Sequence, residues 1–497
     1  MRIVKLVSIL VLAAAPALAQ PAQPAKPVPA PSVFDKSGIT EWTKPPAPTT
    51  EPKFKPPVAR RLRLKNGMSL LVVENHKLPI VSMSIVVPGA GASNDPKGKG
   101  GLASFTADLL DEGAGGLSAI GIAEETDRLG AGIGIGIDAD AAYVSVSTLS
   151  KTIDQTTELV TKLMTQPAFD DKEAERVKGD RMTALELRRD RPREVASIML
   201  NAAIYGMDSA YGHPSTGIRE EFKDVTVADA RTFYKERWNP AVMTLIVVGD
   251  VDPVAFKAKL DAGLGAWKPV GARKPGKIVA TPAKLANRLL LVDRKDAAQS
   301  DVRFGILGPD RKDRRYFAFE VFRTTLGDGF TSRLVQRLRE QLDITYGANA
   351  SMDWRLARGP FVIATAIVTP STGQGVSETL KLVEELATKD VPAEELDKAK
   401  QNLIRALPAQ FGTNASTAQT FSDLVLFGLP DDWYTRYADG IRKITAKDVK
   451  AIAKATAPAN KLVISIVGDM SKVRADLDKL GLGEPTMYDL YGMPVAK

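Results

Sequence analysis

The sequence contains no cysteine and only two histidines, His76 and His213, among 497 residues. Without thiols there is no disulfide, no lipid-attachment cysteine and no thiolate zinc site. Two histidines far apart in the chain cannot form the H-x-x-x-H spacing that puts two imidazoles on one helix face. Aromatic residues make up only 6%. Beyond the first twenty residues no run approaches the ~20 apolar positions of a membrane-spanning helix. The formal charge is +8, falling to +6 when Arg2 and Lys5 are removed. The basic residues stand beside acids, as in "ELRRDRPRE". That pattern predicts a solvated surface and no nucleic-acid groove.

What is present divides the chain. Residues 1–19 have a basic front, an apolar run and a small-x-small end at Ala17-Leu18-Ala19. This reads as a secretory signal peptide cut after Ala19, with the periplasm as the expected destination. Residues 20–58 are proline-rich and predict an extended arm, with Phe34, Trp42 and Phe54 as anchors should it lie across a partner. From 59 onward apolar periodicity takes over. "LKNGM" places Asn66-Gly67 at the tip of a hairpin, followed by a third strand. "GAGIGIGIDAD" carries the loose outline of a phosphate loop. It lies where no strand-to-helix turn is predicted, so it reads as a tightly packed strand.

A long internal repeat organises the remainder. "VTVADARTFYKERWNPAVMTLIVVGDV" (225–251) aligns with "ITAKDVKAIAKATAPANKLVISIVGDM" (444–470) at an offset of 219 without gaps. Thr226 and Thr445 are matched helix caps, and Gly249 and Gly468 end matched strands. Residues 80–90 align with 301–311 at 221, and "DDKEAERVK" with "PAEELDKAK" at 222. Two copies of one α+β domain follow, over 59–270 and 288–480. A Gly/Pro/Lys linker joins them over 271–287, and a tail runs over 481–497. Each copy is expected to be a mixed, mostly antiparallel sheet covered by helices.

The stretch "GLASFTADLLDEG" (101–113) reads as a helix. Leu102, Phe105 and Leu109 form a core stripe, while Ser104, Ala107 and Asp108 share another face. One hydroxyl, one methyl and one carboxylate do not make a zinc site. Only a weak oxygen-only magnesium or calcium site at Asp108 would be conceivable. No Ser-His or Cys-His pair offers a nucleophile.

With its flanks, this helix resembles that of the pitrilysin family, which includes insulinase-like zinc peptidases and the mitochondrial processing peptidase. "IAEETDRLGAGI", "PAFDDKEAERVK", "GHPSTG" and "NPAVMTLIVVGDVD" follow in the family's order. In the family the helix reads G-L-A-H-x-x-E-H: two histidines bind zinc and the glutamate activates water. Here Ser104, Ala107 and Asp108 occupy those three positions. The family's third ligand is a glutamate that would fall in "ERVKGDRMTALE", where Glu175 and Glu186 are the occupants on offer. The resemblance therefore implies a chain without catalytic residues or metal of its own. The family's second domain carries an arginine-tyrosine pair that holds substrate backbone, and "RLREQLDITYGANA" supplies Arg339 and Tyr346 for it.

In divided members of the family, one subunit keeps the metal motif and the other keeps this pair. The two close as halves of a clamshell around a peptide. The resemblance thus implies a non-catalytic, substrate-binding subunit whose homologous H-x-x-E-H partner holds the zinc. A structural core subunit without peptidase role, or a stand-alone peptidase with unusual ligands, are the other readings.

Overall fold

The structure is a computed structural model that describes residues 54–268, 278–280, 282–283 and 287–495. The described residues belong to a unit that begins at Phe54. The signal peptide, most of the arm, with Phe34 and Trp42, and most of the 271–287 segment lie outside them. Phe54 packs on Phe411, with ring centroids 5.6 Å apart.

The N-terminal half runs β1 (Arg60–Arg63), β2 (Ser69–Glu74), β3 (Ile80–Pro88), α1 (Leu102–Asp108), a short β4–β5 hairpin (Gly113–Ala114, Leu117–Ser118) and α2 (Ala119–Arg128). It continues through β6 (Gly132–Ile137), β7 (Ala141–Leu149), α3 (Ile153–Thr165), α4 (Asp171–Glu186), α5 (Pro192–Tyr205), α6 (Arg219–Phe222), α7 (Val227–Arg237), β8 (Thr244–Gly249) and α8 (Pro253–Ala262). The C-terminal half runs β9 (Leu289–Asp293), β10 (Gln299–Leu307), α9 (Tyr316–Gly327), a π-helical turn (Val335–Gln341), β11 (Thr345–Met352), β12 (Pro360–Val368) and α10 (Thr372–Thr388). Then come α11 (Ala393–Ala406), α12 (Asn414–Leu426), α13 (Trp433–Arg442), α14 (Ala446–Thr456), β13 (Val463–Gly468), α15 (Met470–Asp478) and β14 (Thr486–Tyr488).

The first sheet has the order β1-β2-β8-β3-β7-β6 and the second β11-β12-β10-β13-β9-β14. Read from opposite ends, these are one plan. β2 and β8 run parallel, as do β9 and β13, and the inner pairs that follow are antiparallel. The expected mixed α+β sheet is present twice. The outermost strand beside β2 or β9 differs. In the first sheet β1 folds back through the Asn66-Gly67 turn, where Gly67 takes φ 94°. In the second, β14 pairs parallel with β9, so the segment read as a tail supplies an edge strand.

Strand pairing corrects one alignment. Ser82 pairs with Val248 and Asp301 with Val467, so β3 and β10 correspond at the offset of 219, not 221. A two-residue slip leaves every side chain on its original face, so apolar pattern alone cannot detect it. The helix caps agree with the sequence. Thr226 with Asp229, and Thr445 with Asp448, each form a reciprocal capping box.

Each sheet buries two faces, and the halves exchange a helix to cover them. On the first sheet Leu70, Val72, Met83 and Ile85 pack with α1 and α7. The opposite face, with Leu71, Val86 and Ile246, joins the core containing Phe421 and Leu424 of α12. Reciprocally, Val195, Met199 and Leu200 of α5 pack on Leu290, Val463 and Val467 of the second sheet. Hydrogen bonds fasten the exchange. Ser422 reaches Ser84 at 2.9 Å, Asn414 Nδ2 donates to the Ile80 carbonyl at 3.1 Å, and Ser465 Oγ donates to the Ala196 carbonyl at 2.8 Å. Burying one Leu or Met side chain contributes roughly 1.5–3 kcal/mol. Several such residues on each exchanged helix bind the halves into one cooperative body.

Candidate functional site

The start of helix α1 is fixed by backbone crowding. Gly101 has φ 93°, and a Cβ there would stand 2.7 Å from the Thr216 carbonyl oxygen. The "GLAS" and "GHPSTG" stretches therefore meet in space. Asp95 accepts from the backbone N–H groups of Gly101 and Ala103, both at 2.7 Å. Two of the free donors at the helix start are thereby satisfied. Burial pushes the Asp95 carboxyl up to about 7, against the pull of those two donors. Leu102, Phe105 and Leu109 are buried as the stripe predicted. The Phe105 ring meets Phe222 edge-on at 5.5 Å.

The other face of α1 is closed by a cation. Arg181, one side chain of α4, donates through Nη1 to Ser104 Oγ at 2.5 Å and through Nη2 to Asp108 Oδ2. Its guanidinium carbon lies 5.3 Å from the centroid of the Phe222 ring. Ser104 and Ala107 are buried, and the Arg181 side chain is 11% exposed. Burial raises the Asp108 carboxyl above the usual carboxylate range, outweighing the adjacent Arg181.

These residues do not fit zinc. Two unit charges 4 Å apart repel by about 4 kcal/mol at an effective dielectric of 20, and a divalent ion doubles that. The donor set beside the guanidinium is one hydroxyl and one carboxylate, already hydrogen-bonded. Neither expected third ligand reaches the site. Glu175 is exposed on α4, and Glu186 is engaged by Tyr491 at 2.8 Å, Arg189 at 3.3 Å and Arg219 at 3.5 Å. Among the described residues no group of three or more His, Cys, Asp or Glu side chains is placed to hold a metal ion. His76 pairs with Asp250 at 2.7 Å on the surface. His213 is hydrogen-bonded to the Pro214 carbonyl, and burial lowers its proton affinity.

The C-terminal pair is arranged differently. Arg339 leaves the π-helical turn and stacks between two rings, 5.0 Å from the Tyr346 centroid and 5.4 Å from Phe330. Its ion-pair partner is the neighbouring Glu340, at 3.3 Å. Tyr346 is 84% and Phe330 72% exposed. A register shift in β11 between Thr345 and Ala348 turns Tyr346 out of the sheet. Thr345 Oγ1 braces this bulge, accepting from the Gly347 N–H at 3.1 Å and donating to the Ala366 carbonyl at 2.6 Å. Phe330, missed in the sequence, completes the stack; nothing in its spacing marks it.

The glycine-rich stretch is β6, the edge strand beyond β7. The expectation of tight packing is corrected. Gly132, Gly134 and Gly136 are exposed, and a Cβ at Gly134 or Gly136 would meet nothing within 4 Å. An edge strand with one face bare of side chains offers unhindered backbone donors and acceptors.

Fold and site together define a duplicated peptidase-type chain whose metal position is filled by an arginine-centred hydrogen-bond network. The chain belongs to peptidase family M16: residues 70–213 match the insulinase (peptidase family M16) pattern and residues 224–403 the peptidase M16 inactive domain. The chain is 24% identical to the non-peptidase homolog YmxG of Helicobacter pylori over 404 residues, 80% of this chain and 91% of that protein. It is 27% identical over 354 residues to an uncharacterized zinc protease of Mycobacterium tuberculosis, covering 69% and 78% of the two. Among solved structures, a peptidase M16 inactive domain from Pseudomonas fluorescens superposes with a TM-score of 0.77 at 25% identity, over 82% of this chain and 97% of that one. A protease from Helicobacter pylori also gives 0.77, at 18% identity, over 83% of this chain and all of that one. Among the described residues no helix is long and apolar enough to cross a membrane.

Proposed function

We propose that this chain is the non-catalytic, substrate-holding subunit of a periplasmic, two-subunit zinc peptidase, with the zinc and its base in a homologous partner. One observation carries the reading. The cation at the metal position, Arg181, is turned inward and hydrogen-bonded to Ser104 and Asp108, whereas Arg339 stands outward with Tyr346 and Phe330. Arg339 would give its fork of N–H donors to a substrate carbonyl as negative charge grows on it. Tyr346 would add its phenol hydroxyl. The peptide would lie as an added strand, held by backbone hydrogen bonds. The leader at residues 1–19 accounts for the exported location.

Mixing the mature chain with an exported M16 relative that retains H-x-x-E-H tests this directly. The expected result is a complex on gel filtration and a peptidase activity neither protein has alone. A relative that is fully active by itself and never co-elutes with this chain would overturn the reading in favour of a scaffold. Stoichiometric zinc in the isolated chain would instead mark a stand-alone peptidase.

A further inference from the structure

Helices of the C-terminal half and the β6–β7 turn line an open pocket of about 650 Å³. It shares no lining residue with the α1–α4 site or with Arg339 and Tyr346. Arg311, in the loop before α9, forms part of its wall and is 7% exposed. Four rings surround this guanidinium: its carbon lies 4.2 Å from the centroid of Tyr316, 4.9 Å from Trp433, 5.4 Å from Trp354 and 5.7 Å from Phe427. Ring faces attract a cation but give its N–H groups no lone pair to point at. Arg311 Nη1 is buried without an acceptor. Arg311 has no direct ion pair, although its charge acts on the Asp423 carboxyl in the same wall, and a ligand carboxylate is the planar complement of a desolvated guanidinium.

The same pocket holds carboxylate oxygens that lack donors. Glu320, 5% exposed, accepts from Arg323 on Oε2 at 3.0 Å, while its Oε1 is buried and unpartnered. Asp423 accepts from Gln419 Nε2 at 3.2 Å through one oxygen, and burial holds its carboxyl above the ordinary range. Asp138, also in the wall, is satisfied by the Tyr143 hydroxyl at 2.6 Å and by two backbone N–H groups. An anion alone would face Glu320 and Asp423, and a cation alone would face Arg311. A ligand bearing both charges would satisfy each.

We infer that this pocket binds a small zwitterion, a free amino acid or a dipeptide. Its carboxylate would sit on Arg311, its ammonium toward Glu320 and Asp423, and its apolar side chain against the aromatic wall. A pocket of this volume accommodates such a molecule.

Calorimetric titration of the mature chain with L-alanyl-L-phenylalanine tests the inference, with L-phenylalanine, the dipeptide amide and the N-acetyl dipeptide as parallel arms. Saturable binding of at least one zwitterion is expected, with each capped dipeptide at least tenfold weaker than the free dipeptide if the dipeptide is the ligand. If only phenylalanine binds, its own amide and N-acetyl forms make the same comparison. The dipeptide-to-amino-acid ratio then identifies the natural source. Arg311→Met is expected to abolish binding in a variant whose circular dichroism shows it folded; its melting temperature can fall, because the contacts with four rings go with the cation. Asp423→Asn is expected to weaken binding about tenfold and decides the matter if the first variant fails to fold. No binding of either zwitterion, equal binding of the capped forms, or unchanged binding by a folded variant would overturn it.

Discussion

Two arginines, one in each half, have opposite surroundings. Arg181 is folded onto α1, where it bonds Ser104 and Asp108 and covers the face on which a metal would sit. Arg339 is held only by ring faces and by its own neighbour Glu340. The first has its donors committed within the fold; the second presents donors outward. The contrast shows that two copies of one fold can place a cation either inside a hydrogen-bond network or against exposed rings.

The sharpest way to break this comparison is to truncate each arginine's site in turn. In an active complex, Arg339→Ala is expected to lower kcat by 100- to 1000-fold, the effect of removing a donor aimed at developing charge. Its melting temperature should stay within about a degree of the parent, because a half-exposed stacked side chain contributes little to folding. A rate loss matched by a large melting loss would place Arg339 among structural residues. The opposite signature is expected in the other half. Asp108→Ala leaves the Arg181 cation without its acid and should cost about 2 kcal/mol, less than a fully buried pair because the Asp108 side chain is 41% exposed. Arg181→Met strips the donor from both Ser104 and Asp108 and should cost at least as much, whereas the double replacement Asp108→Ala with Arg181→Met, which removes both charges, should be less damaging than either single change. Urea midpoints measure all three, and a double variant no more stable than the singles would mean that the two residues do not act as a pair.

A further effect is read through pH. The Asp95 carboxyl is raised to about 7 and Asp140 to about 6, both chiefly by burial. A carboxyl raised in the folded state adds stability below its unfolded pKa, and this is lost as pH climbs through the folded value. Melting temperature should therefore fall as the pH rises from 5 to 8. A rise over that window would contradict the burial of these acids. Asp140 also spans the halves, accepting from the Tyr211 hydroxyl at 2.5 Å and from the Leu356 N–H at 2.7 Å. The smallest effect concerns the caps. Thr226→Ala and Thr445→Ala should each cost about 1 kcal/mol, since the two capping boxes are alike. Thermal melts that differ by more than a factor of two would show that Asp229's second bond, to Lys99 at 2.9 Å, stiffens the first copy.

Local signals were legible before the structure. The stripe of Leu102, Phe105 and Leu109 declares the buried face of α1 because helical period is a property of adjacent turns. Thr226 and Thr445 declare their helices because capping is settled within four residues. The absence of imidazole on α1 was also plain. What filled the vacancy was not. Arg181 is one of several cations in "ERVKGDRMTALE", and only the packing of α4 on α1 selects it. Resemblance directed attention to Glu175 and Glu186, residues of the expected charge in the wrong places. The exchange of α5 and α12 was equally hidden, since an apolar helix face does not say which sheet will receive it. Arg311 gave no signal because its four rings come from three separate parts of the chain.

The traded helices have a consequence for how this molecule can be taken apart. The unit that was copied in ancestry is not a unit that can stand in water. A fragment ending at 268 keeps α5 but not the sheet α5 covers, and one beginning at 287 has the reverse deficit. Each would be sticky alone and soluble only in the other's company, so co-expression should rescue what separate expression precipitates.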